Sequence, residues 1–342
     1  MVLTPLPILL APPRKFMTSS IERILVIKLS AFGDFVLSIA SFQAIRAHHP
    51  AAEITLLTTA PFRRLAEASG CFDRVWIDRR PPWWQPAAWF ALRQQLAGGS
   101  FQRVYDLQRS DRSGTYFRLL PRPKPEWVGV VSGCSHRYQP PADRTLHICE
   151  REAQQLALAG VPTPGLPDLG FFTAGPQAPD LAALDLPPHF ALLVPGGSAH
   201  RPGKRWPAEN YAALARHLLD HHTVPLLLGA EAERGEIAAI AAAAPGARDL
   251  CGQTTLEALA ALGQAAALAV GNDTGPMHLI AAAGAPSLVL YSRESDPAKI
   301  APRGPSVQTL RRDSLADLSL QDVLAALPPF RNDAALPPSR RG

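Results

Sequence analysis

The sequence predicts an α/β protein with two Rossmann-like domains that carry parallel sheets and face each other across a cleft. Its 342 residues are about twice the usual domain length, so two domains are expected. Apolar, β-branched runs alternate with amphipathic helical stretches in both halves, which favours βαβ units. A turn-rich, proline-rich stretch between residues 160 and 188 separates the halves and predicts a linker.

In the first half, the apolar run 24–27 predicts a buried strand, and the glycine in the stretch 28–34 predicts a tight loop after it. An amphipathic pattern then predicts a helix over 35–48. Further strands are expected at 53–59, 74–78 and 103–107, with a helix at 62–69.

The same alternation restarts after the linker. It predicts strands at 190–194, 224–228, 268–270 and 287–291, and helices at 208–222, 233–243, 276–283 and 319–327. The chain therefore divides into a loosely ordered leader (1–20), an amino-terminal domain (21–165), a linker (166–188), a carboxyl-terminal domain (189–327) and a tail (328–342). The sequence leaves open whether residues 1–16 belong to the native chain.

Composition and charge narrow the class of protein. Hydrophobic residues make up 47% and charged residues 18%, a composition that excludes a disordered chain. The sequence contains no run of about 18 apolar residues, so no membrane-spanning helix is predicted. Residues 1–165 carry 20 Lys and Arg against 12 Asp and Glu, whereas residues 166–342 carry 14 against 17. A basic first half suggests an anionic partner: nucleic acid, a membrane surface, or a phosphorylated or carboxylated substrate. An ordinary solvated basic face is the alternative. No nucleic-acid-binding motif is present.

Several common motifs are missing: the P-loop, the dinucleotide-binding G-x-G-x-x-G, the G-x-S-x-G elbow, and Asp-x-Asp. Ligands of such domains bind beyond the carboxyl ends of the strands. Attention therefore falls on the loops 30–34, 195–207, 229–233 and 271–278.

The loop 271–278 joins a strand to a helix and suits phosphate binding. Its glycines allow close backbone approach, and free amides at Thr274 and Gly275 would act together with the helix dipole. The Thr274 hydroxyl adds a donor, and Asp273 and His278 lie on the same turn. The alternative is an Asp or Thr cap on a helix with a buried core histidine.

Two other loops of the second half carry polar residues. The loop 195–207 holds Ser198, Arg201, Lys204 and Arg205, which suit a diphosphate, although a solvated basic loop is the alternative. A carboxylate in the loop 229–233 can accept bonds from both ribose hydroxyls, or it can simply be an acid in the first turn of a helix.

In the first half, the segment 30–34 places Asp34 at the mouth of the cleft. A carboxylate that faces the other domain's ligand can act as a general base, and the alternative is that Asp34 caps a helix.

Together these pieces resemble glycosyltransferase family 9, the ADP-heptose:lipopolysaccharide heptosyltransferases. The matching segments are 24–50, 194–207, 226–233 and 270–297, of which the last, VGNDTGPMHLIAAAGAPSLVLYSRESDP, is the most specific. The resemblance implies the GT-B fold, with the acceptor bound by the first domain and the nucleotide sugar bound by the second.

The resemblance also implies roles for individual residues. Asp34 would be the catalytic base of an inverting transfer, with acceptor-binding residues Ser30, Gly33, Arg109 and Arg112. The donor would be bound by Ser198, Lys204, Glu233 (in preference to Glu231), Asp273, Thr274, Gly275 and His278. No metal and no cofactor are implied.

The implied donor is ADP-heptose, and the implied acceptor is the anionic glycolipid of the lipopolysaccharide inner core. Nucleic acid is not an expected partner. The expected location is the cytoplasm, with peripheral contact at the inner face of the cytoplasmic membrane. Trp83, Trp84, Trp89 and Phe90 either form an interfacial patch there or pack inward from an amphipathic helix.

Three alternatives remain open. The enzyme can use a different nucleotide sugar, since Arg293 and Glu294 replace a small turn that many relatives have beside the sugar. It can resemble a UDP-sugar epimerase, or it can be a catalytically degenerate binder of sugar nucleotides. The sequence also leaves open the acceptor hydroxyl and the oligomeric state.

Overall fold

The computed structural model describes residues 21–141, 145–174, 178–197 and 201–331. Within these residues the strands form two six-stranded sheets, and every strand pair within them is parallel. The α/β architecture with two parallel sheets is therefore confirmed. The predicted leader, Ser198 and the last residues of the tail lie outside the described residues.

The first sheet has the strand order β3-β2-β1-β4-β5-β6. Its order reverses direction between β1 and β4, so the loops after these two strands flank a crevice. The strands are β1 (Arg23–Ile27), β2 (Glu53–Thr58), β3 (Arg74–Ile77), β4 (Arg103–Asp106), β5 (Glu126–Gly129) and β6 (His136–Arg137).

The second sheet has the order β12-β11-β10-β7-β8-β9 and reverses between β10 and β7. Four of its strands were predicted, and the apolar residues of β7 and β11 are fully buried, as expected for strands covered on both faces. The strands are β7 (Phe190–Val194), β8 (Val224–Leu227), β9 (Arg248–Asp249), β10 (Leu268–Asn272), β11 (Ser287–Tyr291) and β12 (Val307–Arg311).

Helices connect the strands in both halves. In the first half they are α1 (Phe32–Leu37), α2 (Ile39–His48), α3 (Arg63–Ala68), α4 (Pro86–Gly98), α5 (Asp111–Leu119) and α6 (Ile148–Ala157). From the linker onward they are α7 (Gly170–Thr173), α8 (Ala208–Asp220), α9 (Arg234–Ala243), α10 (Leu256–Ala265), α11 (Gly275–Ala282), α12 (Pro297–Ile300) and α13 (Leu320–Ala325). Among these described helices, none is both long and apolar enough to span a membrane.

The structure corrects the predicted helix 35–48. Helix formation begins earlier, at Phe32, and the chain breaks at Ser38 into α1 and α2. The Ser38 Oγ lies 2.8 Å from the backbone oxygen of Asp34, a local bond that competes with the regular helical ladder.

The two halves meet through the start of α1 and the start of α11. Phe35 stacks on Phe62, with ring centroids 4.9 Å apart, and belongs to a hydrophobic cluster that also includes Met277 and Leu279 of α11. The linker contributes as well, since Phe172 of α7 is fully buried in the same cluster. In the tail, the Arg331 amide donates to the Ala267 oxygen at 3.0 Å.

Candidate functional site

Two glycines allow the loop after β1 in the first sheet to pack against the loop 271–278 of the second. A Cβ atom on Gly33 would lie 2.7 Å from the His278 ring, and one on Gly275 would lie 2.5 Å from the Phe32 ring. Both contacts are too close for any larger residue without a shift. The helix starts of α1 and α11 can therefore approach each other, and Asp34 lies beside the second domain's loop.

Asp34 is half-buried in the first turn of α1. The N-cap of that helix is Ala31, and no side chain caps it, so the alternative that Asp34 is an N-cap is wrong. The Asp34 carboxylate lies close enough to His278 and Arg151 to influence the pKa of both. It is thus a carboxylate at the junction of the two halves.

His278 is buried at this junction. Burial lowers its pKa to about 4, although the carboxylates of Asp273 and Asp34 oppose the shift. Its Nδ1 atom is buried and has no hydrogen-bond partner among the described residues. The lowered pKa favours the uncharged ring, so Nδ1 is left to donate to or accept from a ligand according to the tautomer, while the Nε2 edge packs against Gly33.

Lys204 and Asp273 form a tight ion pair at the start of α11, with Nζ and Oδ2 2.6 Å apart. Both side chains are about nine-tenths buried. Thr274 is the N-cap of α11, but its Oγ1 makes no capping bond and is buried without a partner among the described residues. The structure therefore brings together a lysine, a free hydroxyl and a helix N-terminus, which suits an anionic ligand.

Asn272, which the sequence analysis missed, holds the loop 195–207 against this site. Its Nδ2 donates to the oxygens of Pro195 and Gly196, and its Oδ1 accepts from the Trp206 amide at 3.1 Å. The only sequence signal is a polar residue at the end of the otherwise apolar strand β10. Because Trp206 is fully buried, the bond anchors the chain two residues after Lys204.

A cavity of about 790 Å³ adjoins the start of α11. It is lined by loops that follow β7, β8 and β10 and by the beginning of α10. The lining combines glycines, polar side chains and leucines. It includes Gly196, Gly197, Arg205, Leu228, Gly229, Glu233, Leu256, Leu259, Asp273, Thr274 and Gly275. Its size and mixed chemistry suit a nucleotide.

Of the two glutamates in the loop after β8, Glu233 has the better geometry for this cavity. Its Oε2 accepts from the Ala230 amide at 2.8 Å, and a Cβ atom on Gly196 would lie 2.8 Å from its Cγ. Glu231 also lines the cavity, but it is exposed and its carboxylate pairs with Arg234 at 2.6 Å. The side chain of Glu233 is thus fixed between the loops after β7 and β8.

Arg205 lines this cavity; the sequence placed it in a loop that suits a diphosphate, but it was not assigned to the donor site. It donates to the Gly197 oxygen at 2.6 Å and pairs with Glu236, but its Nε is buried without a partner among the described residues. An unsatisfied guanidinium nitrogen at a cavity wall can bind a ligand oxygen.

On the other side of the junction, Arg151 lies close to Arg109. Burial and Arg109 lower the pKa of Arg151. Arg109 Nη1 and Arg151 Nε are both buried and lack partners among the described residues. Arg109 also pairs with Glu152 through Nη2, at 3.7 Å, and Arg151 lies close to Asp34. The two nitrogens without partners suit an anionic group. Arg151 was missed because its helix, α6, was not predicted.

Arg112, the other predicted acceptor arginine, belongs to a different cluster. It donates to Tyr116 Oη at 2.6 Å and to the Pro81 oxygen at 3.1 Å, and it lies over the Trp89 ring. Its donors thus brace α4 and α5. Its role in acceptor binding stays a prediction.

The loop after β1 is fixed to the loop after β4. The amides of Leu29 and Ser30 both donate to Gln108 Oε1, at 2.7 and 3.1 Å. Ser30 therefore lies against the loop that carries Gln108 and Arg109, and its role in acceptor binding stays a prediction. In the described residues, no group of three or more His, Cys, Asp or Glu side chains could hold a metal ion.

Beneath the crevice, a buried ion pair joins β1's carboxyl end to α6. Lys28 Nζ lies 3.1 Å from Glu152 Oε1, and both side chains are almost fully buried. Ser41 Oγ donates to Glu152 Oε2 at 2.7 Å, and Ser38 Oγ lies 2.8 Å from Oε1. Burial would raise the pKa of Glu152, but Lys28, Arg109 and these hydroxyls outweigh it and lower the pKa.

Comparisons with known proteins agree with this arrangement. A family model for "Glycosyltransferase family 9 (heptosyltransferase)" matches residues 89–325. Lipopolysaccharide heptosyltransferase 2 of Escherichia coli K12 is 36% identical over 104 residues, which is 29% of this chain and 30% of that protein. The match thus spans less than a third of the curated relative.

Two solved structures of E. coli proteins cover 89% of this chain. ADP-heptose LPS heptosyltransferase II has a TM-score of 0.69 at 23% identity and is covered over 97% of its length. Heptosyltransferase WaaC with ADP has a TM-score of 0.71 at 21% identity and is covered over 98%. These similarities confirm the predicted GT-B fold.

Proposed function

Because the chain belongs to glycosyltransferase family 9, the heptosyltransferase family, we propose that it transfers a heptose or related sugar from ADP-heptose to lipopolysaccharide inner core. A relative of the same fold, E. coli WaaC, has been solved with ADP, which supports the nucleotide. The observation that carries the proposal is the junction itself. Asp34 of one half lies close to His278 of the other, and His278 in turn lies close to the Lys204–Asp273 ion pair.

The proposed reaction is a single displacement with inversion. The acceptor oxygen attacks the anomeric carbon, Asp34 takes the proton from that oxygen, and the bond between the sugar and the diphosphate breaks. Negative charge then grows on the leaving ADP. Lys204, the Thr274 hydroxyl, the α11 amides and the helix dipole would stabilise that charge, so the step as proposed needs no metal.

The donor would occupy the 790 Å³ cavity. Glu233 would accept bonds from the ribose hydroxyls, as carboxylates do in dinucleotide-binding folds. The diphosphate would extend from there to Lys204 and the start of α11. Leu256 and Leu259 supply an apolar wall for the base, and Arg205 supplies an additional cation.

The acceptor would be an anionic glycolipid that binds in the first half. The unsatisfied nitrogens of Arg109 and Arg151 suit its carboxylate or phosphate groups. Ser30 and the backbone beside Gly33 would complete this side. The proposed location is the cytoplasm, at the inner face of the cytoplasmic membrane, where such a lipid is accessible.

A nucleotide panel tests the donor. At about 100 times its dissociation constant a ligand adds about 2.7 kcal/mol of stability, so ADP is expected to raise Tm by several degrees. UDP, GDP and CMP at matched concentrations should have little effect, as measured by differential scanning fluorimetry. Glu233→Gln should weaken the ADP shift, and the matched variant Glu231→Gln should leave it intact. A shift with UDP alone would instead support the epimerase-like alternative or a UDP-sugar donor.

Lys204→Met is expected to lower kcat/KM by about 10²–10³-fold, because it removes a positive charge that would face the leaving diphosphate. The control is Arg201→Met, which removes an exposed cation from the same loop. Steady-state transfer assays with both variants measure the difference. Equal losses in the two variants would show that the loop contributes general charge and that Lys204 has no specific role.

A further inference from the structure

The strongest feature outside the proposed site is an exposed aromatic surface on the first half. Trp83, Trp84 and Phe90 are 83%, 63% and 55% exposed, and the two tryptophan rings stack edge to face at 5.7 Å. Large aromatic side chains that are this exposed and contiguous mark an interaction surface. Trp89 differs, since it is half-buried and its Nε1 donates to the Pro82 oxygen at 3.0 Å.

This surface is held rigidly. Pro81, Pro82 and Pro86 restrict the backbone around the two tryptophans, and α4 begins directly after them. Arg112 donates to the Pro81 oxygen and lies 5.3 Å from the Trp89 ring centre. The exposed rings therefore project from a braced turn, so ordering them on a partner costs little conformational entropy.

The segment that carries the aromatic surface is basic. Residues 79–125 contain nine Lys and Arg and two acidic residues, of which Asp106 is fully buried. Asp78 and Glu126 on either side pair with Arg112 and Arg103 and neutralise two of these cations. Arg79, Arg93, Arg118 and Arg122 are exposed. Arg93 Nε reaches the Leu119 oxygen, which places the cations of α4 and of the α5 end on one side. Exposed aromatic rings beside clustered cations match the headgroup region of an anionic bilayer.

The surface also adjoins the crevice. Arg80 Nη2 donates to the Leu29 oxygen at 2.9 Å, so the segment after β3 touches the residue just before Ser30. The aromatic surface and the proposed acceptor loop thus share the carboxyl edge of the first sheet. A protein docked by this surface would turn that edge toward lipid headgroups.

We propose that Trp83, Trp84 and Phe90, together with the exposed arginines of residues 79–125, dock the protein on an anionic membrane surface. Docking needs only this surface. In catalysis, docking would deliver a lipid-borne acceptor to the loop before Asp34. This second role rests on the proposed function.

Vesicle flotation tests the docking. Full-length protein should float with vesicles of phosphatidylethanolamine and phosphatidylglycerol, and binding should fall in phosphatidylcholine alone and at high salt. The double variant Trp83→Ala/Trp84→Ala should bind at least about tenfold more weakly. The matched control is Leu158→Ala/Leu166→Ala, which removes exposed apolar residues elsewhere and should bind as the wild type does.

A second measurement reports membrane insertion directly. Quenching of wild-type tryptophan fluorescence by lipids brominated near the headgroup reports insertion without any variant. If flotation is unchanged in the tryptophan variant, or if quenching is absent, the proposal is overturned. It is also overturned if the variant loses only a concentration-dependent dimer, because the surface would then bind a second copy of the chain.

Sugar transfer and membrane docking can be tested independently of each other. With a delipidated sugar acceptor, the tryptophan variant should transfer at the wild-type rate, whereas with acceptor in vesicles it should be slower. A wild-type protein that binds vesicles but transfers no sugar would contradict the function and leave the docking intact.

Discussion

Replacement of Asp34 by Asn should lower kcat by about 10²–10⁴-fold, the range in which a general base contributes. Asn has the same shape, so the loop and the start of α1 should keep their positions, but it cannot accept the proton of the attacking hydroxyl. The donor cavity lies on the other half, and the dissociation constant for ADP should therefore stay close to that of the wild type. Single-turnover transfer and ADP titration measure the two quantities.

Asp111→Asn is the matched control for this prediction. Asp111 also lies in the first turn of a helix that follows a strand of the first sheet, but it is exposed. Its replacement should change kcat by less than about threefold, since surface substitutions are usually small in effect. If Asp34→Asn retained a rate near that of Asp111→Asn, the base assignment would be wrong. Loss of ADP affinity together with kcat would point to a structural role at the junction.

The sequence predicted the features that depend on local pattern. The run 24–27 and the run 190–194 correspond to β1 and β7, because buried parallel strands are continuously apolar. The loop from Gly271 to His278 was located for the same reason, as it lies between an apolar strand and a helix. Gly33 and Gly275 stood in the quoted motifs, but their packing against His278 and Phe32 became visible only in three dimensions.

What the sequence could not predict depends on distant partners. Lys28 and Glu152 are 124 positions apart, and nothing in the local pattern of either residue shows the pairing. The helix α6 that carries Glu152 was missed, and Arg151 was missed with it. Asn272 likewise bonds to chain about 70 positions earlier. Such polar links are fixed by tertiary packing, which has no sequence period.

Glu152→Gln is expected to destabilise the protein by about 3–5 kcal/mol, the usual result of removing one partner of a buried ion pair. Lys28 would remain almost fully buried next to Arg109 without a carboxylate, and a neutral amide cannot compensate two cations. Urea unfolding followed by circular dichroism measures the change. The double variant Lys28→Met/Glu152→Leu should recover part of the loss, because it removes buried charges of both signs.

The control is Glu150→Gln, the same substitution two positions earlier on α6. Glu150 is half-exposed and pairs with Arg303 at 3.0 Å, so its loss should cost about 1 kcal/mol or less. The pH dependence separates the two sites further. The folded-state pKa of Glu152 is lowered, so its contribution is present above the unfolded pKa of about 4.3 and is lost as pH falls through the folded value. The difference in the free energy of unfolding between the wild type and Glu152→Gln should therefore shrink in acid. A difference that stayed constant down to low pH would contradict an ionised Lys28–Glu152 pair.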